Sequence, residues 1–420
     1  MRTQSHRRLL ADPPTRRFLA GLGVSSLGDG LSTVTIAWLA LSVAPPGDRG
    51  FFVGLAVAAY TLPGVIGAVS LGRYLRALPA RYMVISHGLA RAGCLGLIAV
   101  LSIAGALPPF AYVALLAGSS LLAAWGTAGQ YTMLAALAGP DCRLAVNSLA
   151  SAQASFATIV GPLLAGLLLG PVGPGWLIAL DAASFGVLAL AAWRTPIDTR
   201  AAEGPVDRQA ARSGFRLLLR RDLLSLTILT WVFFFLYGPV EVALPVYVAH
   251  DRAASAELLG LYWTSFGVGA LAANLITSTL RGGATRRVAL LIVAGWGACL
   301  LPFAGAPIPV TVLSFAAGGL IYGPFIPLTY ALFQSAASTA DLPAVLAARS
   351  AIVLVSTPLG TAIGGPLVAS LGATSTLVAS GVATIALAVA ASILWRPTPG
   401  DGALGRLNPR RSPRSQPASR

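Results

Sequence analysis

Twelve long apolar segments, separated by short polar gaps, follow one another along most of this 420-residue chain. A segment of about 20 apolar residues is long enough to cross a bilayer as an α-helix. The pattern therefore predicts twelve membrane spans, whose ends are placed to within several residues. The predicted spans are 18–43, 51–75, 82–105, 110–138, 144–170, 175–194, 223–248, 258–281, 286–304, 309–337, 346–371 and 374–395.

The arginines divide the gaps between these spans into two kinds. Nearly all of the 29 basic residues lie at the termini or in every second gap, whereas the gaps between those carry only Arg49 and Arg252. Short loops rich in arginine stay on the cytoplasmic side of a membrane. We therefore expect a multi-pass protein of the cell membrane with both termini in the cytoplasm. Arg91 is predicted to be the single arginine within a span.

The composition supports a membrane protein, because 56% of the residues are hydrophobic and only 10% are charged. That leaves too little polar surface to cover a soluble domain of this length. The net charge of +15 does not predict nucleic-acid binding, since the arginines lie beside spans, where anionic lipid headgroups are the nearer partner. The lipid bilayer is therefore one expected partner, and nucleic acid is not.

The residue types also argue against bound cofactors. The chain contains no lysine, so a Walker phosphate loop is excluded and direct coupling to ATP within this chain is not expected. The three cysteines are scattered and have no metal-ligand spacing. We expect no cofactor and no metal. Arginine without lysine, together with abundant alanine, glycine and proline, is typical of a GC-rich bacterial genome and so favours a bacterial plasma membrane.

One long polar stretch separates the first six spans from the last six. The segment 161–165 (Gly-Pro-Leu-Leu-Ala) in the fifth span matches 365–369 (Gly-Pro-Leu-Val-Ala) in the eleventh. Transporters are commonly built from such repeats, with substrate held between them. The predicted fold is an all-α membrane protein with twelve transmembrane helices in two pseudo-symmetric six-helix bundles. Its predicted parts are an N-terminal bundle at 1–194, a central cytoplasmic loop at 195–222, a C-terminal bundle at 223–395 and a disordered basic cytoplasmic tail at 396–420.

Within the central loop, Arg212, Arg216 and Arg220 recur every four residues and so share one face of a helix. Two interpretations remain open. The segment is either an interfacial helix lying on the membrane or a cytoplasmic extension of the seventh span.

Four short motifs carry a resemblance to a known family. They are Ser-Leu-Gly-Asp-Gly at 26–30, Ala-Val-Asn-Ser-Leu at 145–149, Gly-Pro-Leu-Leu-Ala-Gly at 161–166 and Asp-Ala-Ala-Ser-Phe at 181–185. Over residues 16–395 the chain resembles the major facilitator superfamily, and in particular its drug and siderophore exporters similar to the enterobactin exporter. The resemblance implies two bundles around a cavity formed by spans 1, 4, 7 and 10, with alternating access driven by an ion gradient.

The chain departs from the family pattern at two places. Gly161 and Pro162 resemble part of an antiporter motif, but Ala157 and Ala165 stand where the family usually has glycine. Between spans 2 and 3, where the family has an acidic residue after Gly-x-x-x, this chain has Arg76. Two interpretations follow: either another acid serves as the gate partner, or the contacts that lock the cytoplasmic side differ. Gly161, Pro162, Gly365 and Pro366 are candidate packing or bending points.

Three ionisable residues within spans are candidates for proton coupling or gating, because a charge in hydrocarbon costs roughly 3 kcal/mol or more and usually has a partner or a wet cavity. Asp29 lies 12 residues beyond Arg17, which places it about 18 Å along the helix, near mid-membrane. Alternatively, Asp29 is a structural acid that caps neighbouring backbone N–H groups or forms an ion pair with an arginine. Arg91 either pairs with an acid or snorkels, and Glu241 either gates the outer side near Gly238 and Pro239 or reaches the headgroups.

Polar and aromatic residues on spans 1, 4, 7 and 10 are candidates for contacting an amphipathic substrate, because they combine large contact area with a few hydrogen bonds. They are Thr33, Trp38, Trp125, Gln130, Tyr131, Trp231, Tyr237, Tyr322, Tyr330 and Gln334.

The sequence favours a monomeric, proton-coupled exporter of an amphipathic organic compound, of the drug or siderophore class, over an enzyme. An importer of a small nutrient is the nearest alternative. Outside transport, the alternatives are a membrane receptor or assembly protein and a membrane-embedded lipid enzyme. The last would need clustered His, Asp or Glu at one membrane face, and three dispersed histidines do not supply that.

Overall fold

The computed structural model describes residues 9, 11–45, 47–70, 78–195, 214–277, 286–338 and 341–394. Eleven of its helices are long and apolar enough to cross a membrane, and Ala256–Thr277 occupies the place of the remaining predicted span. The twelve membrane helices are α1 Pro13–Val43, α2 Arg49–Ser70, α3 Ala80–Ile103, α4 Pro109–Gly139, α5 Ala145–Val172, α6 Pro174–Trp193, α7 Arg221–Asp251, α8 Ala256–Thr277, α9 Arg286–Ala304, α10 Ile308–Ala336, α11 Ala344–Leu371 and α12 Ala373–Leu394.

These helices confirm the predicted number and order of spans. The largest difference lies at the start of α1, which begins at Pro13 because Asp12 caps the helix, its carboxylate accepting a hydrogen bond from the backbone of Thr15 at 3.1 Å. Since the number of spans is even, both ends of the helical core lie on one side of the membrane. We call this the near side and the opposite one the far side.

The helices pack as two bundles with matching internal contacts. In the first half, α1 packs against α5 and α6, α2 against α4, and α3 against α6; in the second half, α7 packs against α11 and α12, α8 against α10, and α9 against α12. The fourth helix of each half is also interrupted, after Ser120 in α4 and after Tyr322 in α10. The two halves are therefore related by pseudo-symmetry.

Two helix crossings join the bundles, α2 with α11 and α5 with α8, and glycines face each other in both. A Cβ atom added to Gly54 would lie 2.4 Å from the Cα atom of Gly365, and one added to Gly166 would lie 3.1 Å from that of Gly260. Such close backbone approach requires small residues. All four glycines lie in the far-side halves of their helices.

The two helices that carry the Gly-Pro repeat, α5 and α11, occupy corresponding positions in the two bundles. Each of these helices packs on the first helix of its own bundle and on the second helix of the other. A Cβ atom at Gly161 would lie 2.4 Å from the Cα atom of Gly30 in α1, and one at Gly360 would lie 1.9 Å from the carbonyl oxygen of Phe235 in α7. Gly30 also packs against the carbonyl of Ala157. At this crossing, where the family usually has glycine at the position of Ala157, the small residue comes from α1.

Two local predictions become more specific. Glu241 was predicted to gate the outer side near Gly238 and Pro239 or to reach the headgroups; α7 stays helical through Pro239 and Pro245 to Val246 and ends in a π-turn, so no helix break lies beside Glu241. The central loop was interpreted as either an interfacial helix or an extension of α7. Residues 214–218 are helical, but the extended Arg220 separates them from α7, so a continuous extension is excluded.

The helical segment at 214–218 lies against the near-side end of α11. A Cβ atom at Gly214 would lie 2.3 Å from the carbonyl oxygen of Ala344, and Leu218 is buried while Phe215 and Arg216 are exposed. Three predicted features lie outside the described residues. They are Arg76, where the chain departs from the family pattern, Arg212 of the basic helix face, and the C-terminal tail.

Candidate functional site

The structure brings two of the three ionisable candidates together. Nη2 of Arg91 on α3 donates hydrogen bonds to Oδ1 of Asp29 on α1 and to the hydroxyl of Tyr60 on α2. The Tyr60 hydroxyl also donates to Oδ1 of Asp29, at 3.2 Å. The Arg91 side chain is 9% exposed and that of Asp29 is 46% exposed. The cation of this ion pair is therefore buried, while its carboxylate is open to the surroundings.

Aromatic rings hold the Arg91 guanidinium in place. Its Cζ atom lies 4.7 Å from the ring centroid of Tyr60 and 4.3 Å from that of Phe185 on α6. Cations near aromatic faces are stabilised by about 0.5–2 kcal/mol. The ion pair thus ties together α1, α2, α3 and α6, and Arg91 does not snorkel out of the bundle.

A second carboxylate lies close behind this pair. Asp181 on α6 is fully buried and accepts hydrogen bonds from the hydroxyls of Ser32 on α1 and Ser184, the latter at 3.3 Å. A Cβ atom at Gly28 would lie 2.4 Å from Oδ1 of Asp181, so α1 approaches α6 through a glycine. These contacts give Asp181 a role in joining the two helices.

Glu241 lies in the other bundle. Its carboxylate accepts one hydrogen bond, at 3.3 Å, from the hydroxyl of Thr361 on α11. Within the described part of the chain it forms no ion pair, and it is half-buried. Glu241 therefore faces α11 and does not reach toward the headgroups.

The predicted substrate contacts divide by exposure. Thr33, Tyr131 and Gln334 are exposed, and Trp38, Gln130 and Tyr330 are half-buried. Thr33 lies one turn after Asp29 on the same face of α1, and its hydroxyl donates to the Asp29 carbonyl oxygen at 3.2 Å. α1, α4 and α10 thus present polar groups at membrane depth.

Tyr237 differs from the expectation. It is only 9% exposed and belongs to an aromatic cluster within the C-terminal bundle, where its ring centroid lies 5.7 Å from that of Trp296 and 5.6 Å from that of Tyr322. In this conformation it packs inside the bundle and leaves little surface for a ligand. Trp125 likewise has a structural partner, since its indole N–H donates to the Gly67 carbonyl oxygen at 2.9 Å.

Sequence reasoning missed two residues. Tyr60 was not a candidate, although it contacts both members of the ion pair. Arg349 was counted with the loop arginines, but it is 3% exposed and lies within α11, so Arg91 is not the only arginine inside a span. The predicted span 346–371 already contained position 349, so the sequence did indicate that Arg349 lies within a span.

Tyr60→Phe tests the hydroxyl that supports the ion pair. Phenylalanine keeps the ring under Arg91 but removes hydrogen bonds to charged groups, each worth about 1.5–3 kcal/mol. We expect the thermal midpoint of the purified protein to fall by a few degrees. Tyr82→Phe is the matched control, because Tyr82 is 44% exposed and its hydroxyl accepts a hydrogen bond from its sequence neighbour Arg81, at 2.8 Å. Equal midpoints for both variants would contradict a supporting role for Tyr60.

Comparison with known proteins identifies the family of this fold. A model of the Major Facilitator Superfamily matches residues 18–240 and 226–417. The chain belongs to this superfamily. It is therefore a multi-pass membrane protein of a transporter family, as the resemblance of its motifs predicted.

Curated relatives within the superfamily include efflux pumps. The chain is 26% identical over 380 residues to the multidrug efflux pump Tap of Mycobacterium tuberculosis, which covers 85% of this chain and 87% of the pump. It is 26% identical over 386 residues to the Tap pump of Mycolicibacterium fortuitum, covering 88% and 92%. An uncharacterized MFS-type transporter, y4rN of Sinorhizobium fredii, is 27% identical over 283 residues, covering 64% and 68%.

Solved structures of the superfamily share the fold at low identity. The nucleoside transporter NupG aligns with a TM-score of 0.69 and 12% identity, covering 92% of this chain and 100% of NupG. A bacterial homologue of the human lysosomal transporter Spinster, in an inward-facing and unoccupied conformation, aligns with a TM-score of 0.65 and 13% identity, covering 94% and 99%. These similarities support the fold of two six-helix bundles.

Proposed function

We propose that this transporter is a secondary exporter of an amphipathic organic compound, coupled to protons through Asp29. The half-exposed carboxylate of Asp29, held at mid-span by a buried arginine, is the observation that carries the proposal. A carboxylate that reaches water can exchange a proton, and protonation removes the negative charge that compensates Arg91. Proton binding is thereby linked to the packing of α1, α2, α3 and α6.

The arrangement of the bundles supports alternating access. The glycine crossings of α2 with α11 and of α5 with α8 close the molecule on the far side. We assign the near side to the cytoplasm, because the arginine-rich gaps lie there. In this state a crevice between the bundles opens to the cytoplasm, where a substrate for export would enter. It is lined by Asp29, Thr33, Tyr131 and Gln334.

Export is favoured over import by the curated relatives, whose names describe efflux. The aromatic and amide groups of Trp38, Gln130, Tyr131 and Tyr330 suit an amphipathic organic molecule. A monomer is sufficient, since both bundles needed for a central crevice come from one chain.

Transport direction tests this function. We expect inside-out vesicles, in which the cytoplasmic face is outside, to accumulate an amphipathic dye such as rhodamine 6G or sulforhodamine B when their lumen is acidified. Vesicles without the protein and vesicles with no pH gradient are the controls. Accumulation of either dye only in right-side-out vesicles would indicate import, and accumulation without any dependence on the gradient would exclude proton coupling.

A further inference from the structure

Arg349 is a buried cation with no counter-charge in the described structure. It lies on α11, five residues beyond Ala344, which is about 8 Å along the helix from its near-side end. Only 3% of Arg349 is exposed. No carboxylate of the described residues lies within ion-pair distance, in contrast to Arg91, which has Asp29. Among the described residues, therefore, no carboxylate compensates the charge of Arg349.

The contacts of Arg349 come from α10. Its Nη2 atom donates to the hydroxyl of Thr329 at 3.1 Å, and its Cζ atom lies 4.2 Å from the ring centroid of Tyr330 and 5.1 Å from that of Phe333. Its Nε–H is buried and has no hydrogen-bond partner in the part of the chain that the structure describes. The guanidinium thus keeps an unused donor next to the Tyr330 ring.

These contacts offset only part of the cost of burying the charge. Burying an isolated charge within a membrane protein is unfavourable by roughly 3 kcal/mol or more, whereas a cation–π contact stabilises the cation by about 0.5–2 kcal/mol. An anion that reached the guanidinium would supply the missing charge, and arginine binds planar anions through two parallel N–H groups. Binding of an anion to Arg349 would therefore lower the free-energy cost of burying its charge.

A route to this partner runs past Tyr330. Tyr330 is half-buried, and Gln334, one turn further along α10, is exposed. Rotation of the Tyr330 side chain would remove the ring that covers the guanidinium at 4.2 Å. Tyr330 and Gln334 both belong to α10, one of the four helices that the family resemblance predicted to form the cavity.

We propose that Arg349 is the anion-binding residue of the substrate site, so that the exported compound is an amphipathic organic anion with a carboxylate, sulfonate or phosphate group. This proposal rests on the proposed export function and narrows its substrate class. Tyr330 acts as the movable cover of the guanidinium, and Gln334 supplies a second polar contact.

Two dyes with the same xanthene core and opposite charge provide the test. Sulforhodamine B is anionic and rhodamine 6G is cationic, and binding of each to the purified full-length protein is followed by fluorescence anisotropy. We expect the protein to bind sulforhodamine B at least tenfold more tightly than rhodamine 6G. Arg349→Gln should lose at least tenfold in affinity for sulforhodamine B and change less than twofold for rhodamine 6G, while Arg349→Lys should retain part of the affinity.

The control variant is Arg216→Gln, which removes an exposed arginine on the same side of the membrane and should leave both affinities unchanged. Because an uncompensated buried charge is lost, the thermal midpoint of Arg349→Gln should equal or exceed that of the wild type. Equal losses for both dyes together with a lower midpoint would overturn the proposal and assign Arg349 a structural role.

The outcomes also separate this proposal from the export function. Export of rhodamine 6G that is unchanged in Arg349→Gln, with no binding of sulforhodamine B by the wild type, would overturn the anion site and leave export standing. Selective binding of sulforhodamine B that depends on Arg349, without transport of either dye, would support the anion site and contradict the export function.

Discussion

Asp29→Asn is expected to reduce proton-driven transport at least tenfold while leaving the protein folded. Asparagine keeps an oxygen that accepts a hydrogen bond from Arg91 and Tyr60, but it has no proton to exchange in this pH range. The loss should therefore appear in net transport driven by a pH gradient. Exchange of labelled for unlabelled dye across the membrane, which needs no net proton movement, should persist at a rate near that of the wild type.

A matched control for this variant is Asp222→Asn. The Asp222 carboxylate also accepts a hydrogen bond from an arginine, Arg286, at 2.9 Å, but it lies at the near-side start of α7 and is 59% exposed. Net transport by this variant should stay close to wild type. If Asp29→Asn transports at the wild-type rate under a pH gradient, Asp29 is not the coupling residue. If it loses exchange as well, its role is structural.

Gly54→Leu is expected to prevent closure of the far side and so to reduce transport at least tenfold. A Cβ atom at position 54 would lie 2.4 Å from the Cα atom of Gly365, which is backbone and cannot move aside like a flexible side chain. The leucine therefore separates α2 from α11. Gly93→Leu is the control, because a Cβ atom there meets no atom within 4 Å.

The displacement of the bundles is measured between nitroxide labels on two substituted cysteines, Val172→Cys in α5 and Leu371→Cys in α11, after the native cysteines are replaced. Both positions lie at the far-side ends of their helices and are partly exposed, at 38% and 52%. Gly54→Leu should lengthen the distance measured by double electron–electron resonance, and Gly93→Leu should leave it unchanged. An unchanged distance in Gly54→Leu would show that this crossing does not control closure.

The spans followed from the sequence because a bilayer imposes a length on each apolar segment. The pairing of the halves was indicated by the Gly-Pro repeat, because α5 and α11 pack on corresponding helices. The repeat glycines themselves lie at different crossings, since Gly161 meets Gly30 in its own bundle and Gly365 meets Gly54 in the other. The partners of individual glycines were not predictable. Gly54 meets Gly365 only because two bundles dock, and a span-by-span pattern contains no information about which helices of different bundles touch.

The candidate site was predictable only in part. Asp29 and Arg91 each stood out because a charge within a span requires a reason. Their pairing, and the part played by Tyr60, depend on contacts between residues 31 and 62 positions apart, which helix periodicity does not specify. Arg349 was missed because proximity to a loop was taken as solvent access, whereas α10 covers it. Tyr237 was misplaced because a helix that lines a crevice also has a face turned into its own bundle.

Proton movement during dye transport tests the central claim most directly. The wild-type protein is reconstituted into vesicles with the pH indicator pyranine in the lumen, and the dye that inside-out vesicles accumulate, sulforhodamine B or rhodamine 6G, is added outside without an imposed gradient. If protons exchange for substrate, the luminal pH should rise as the dye enters through inside-out molecules, and the rise should be absent in Asp29→Asn. Dye entry with no change in luminal pH, or with acidification of the lumen, would contradict the proton-coupled export that the Asp29 site implies.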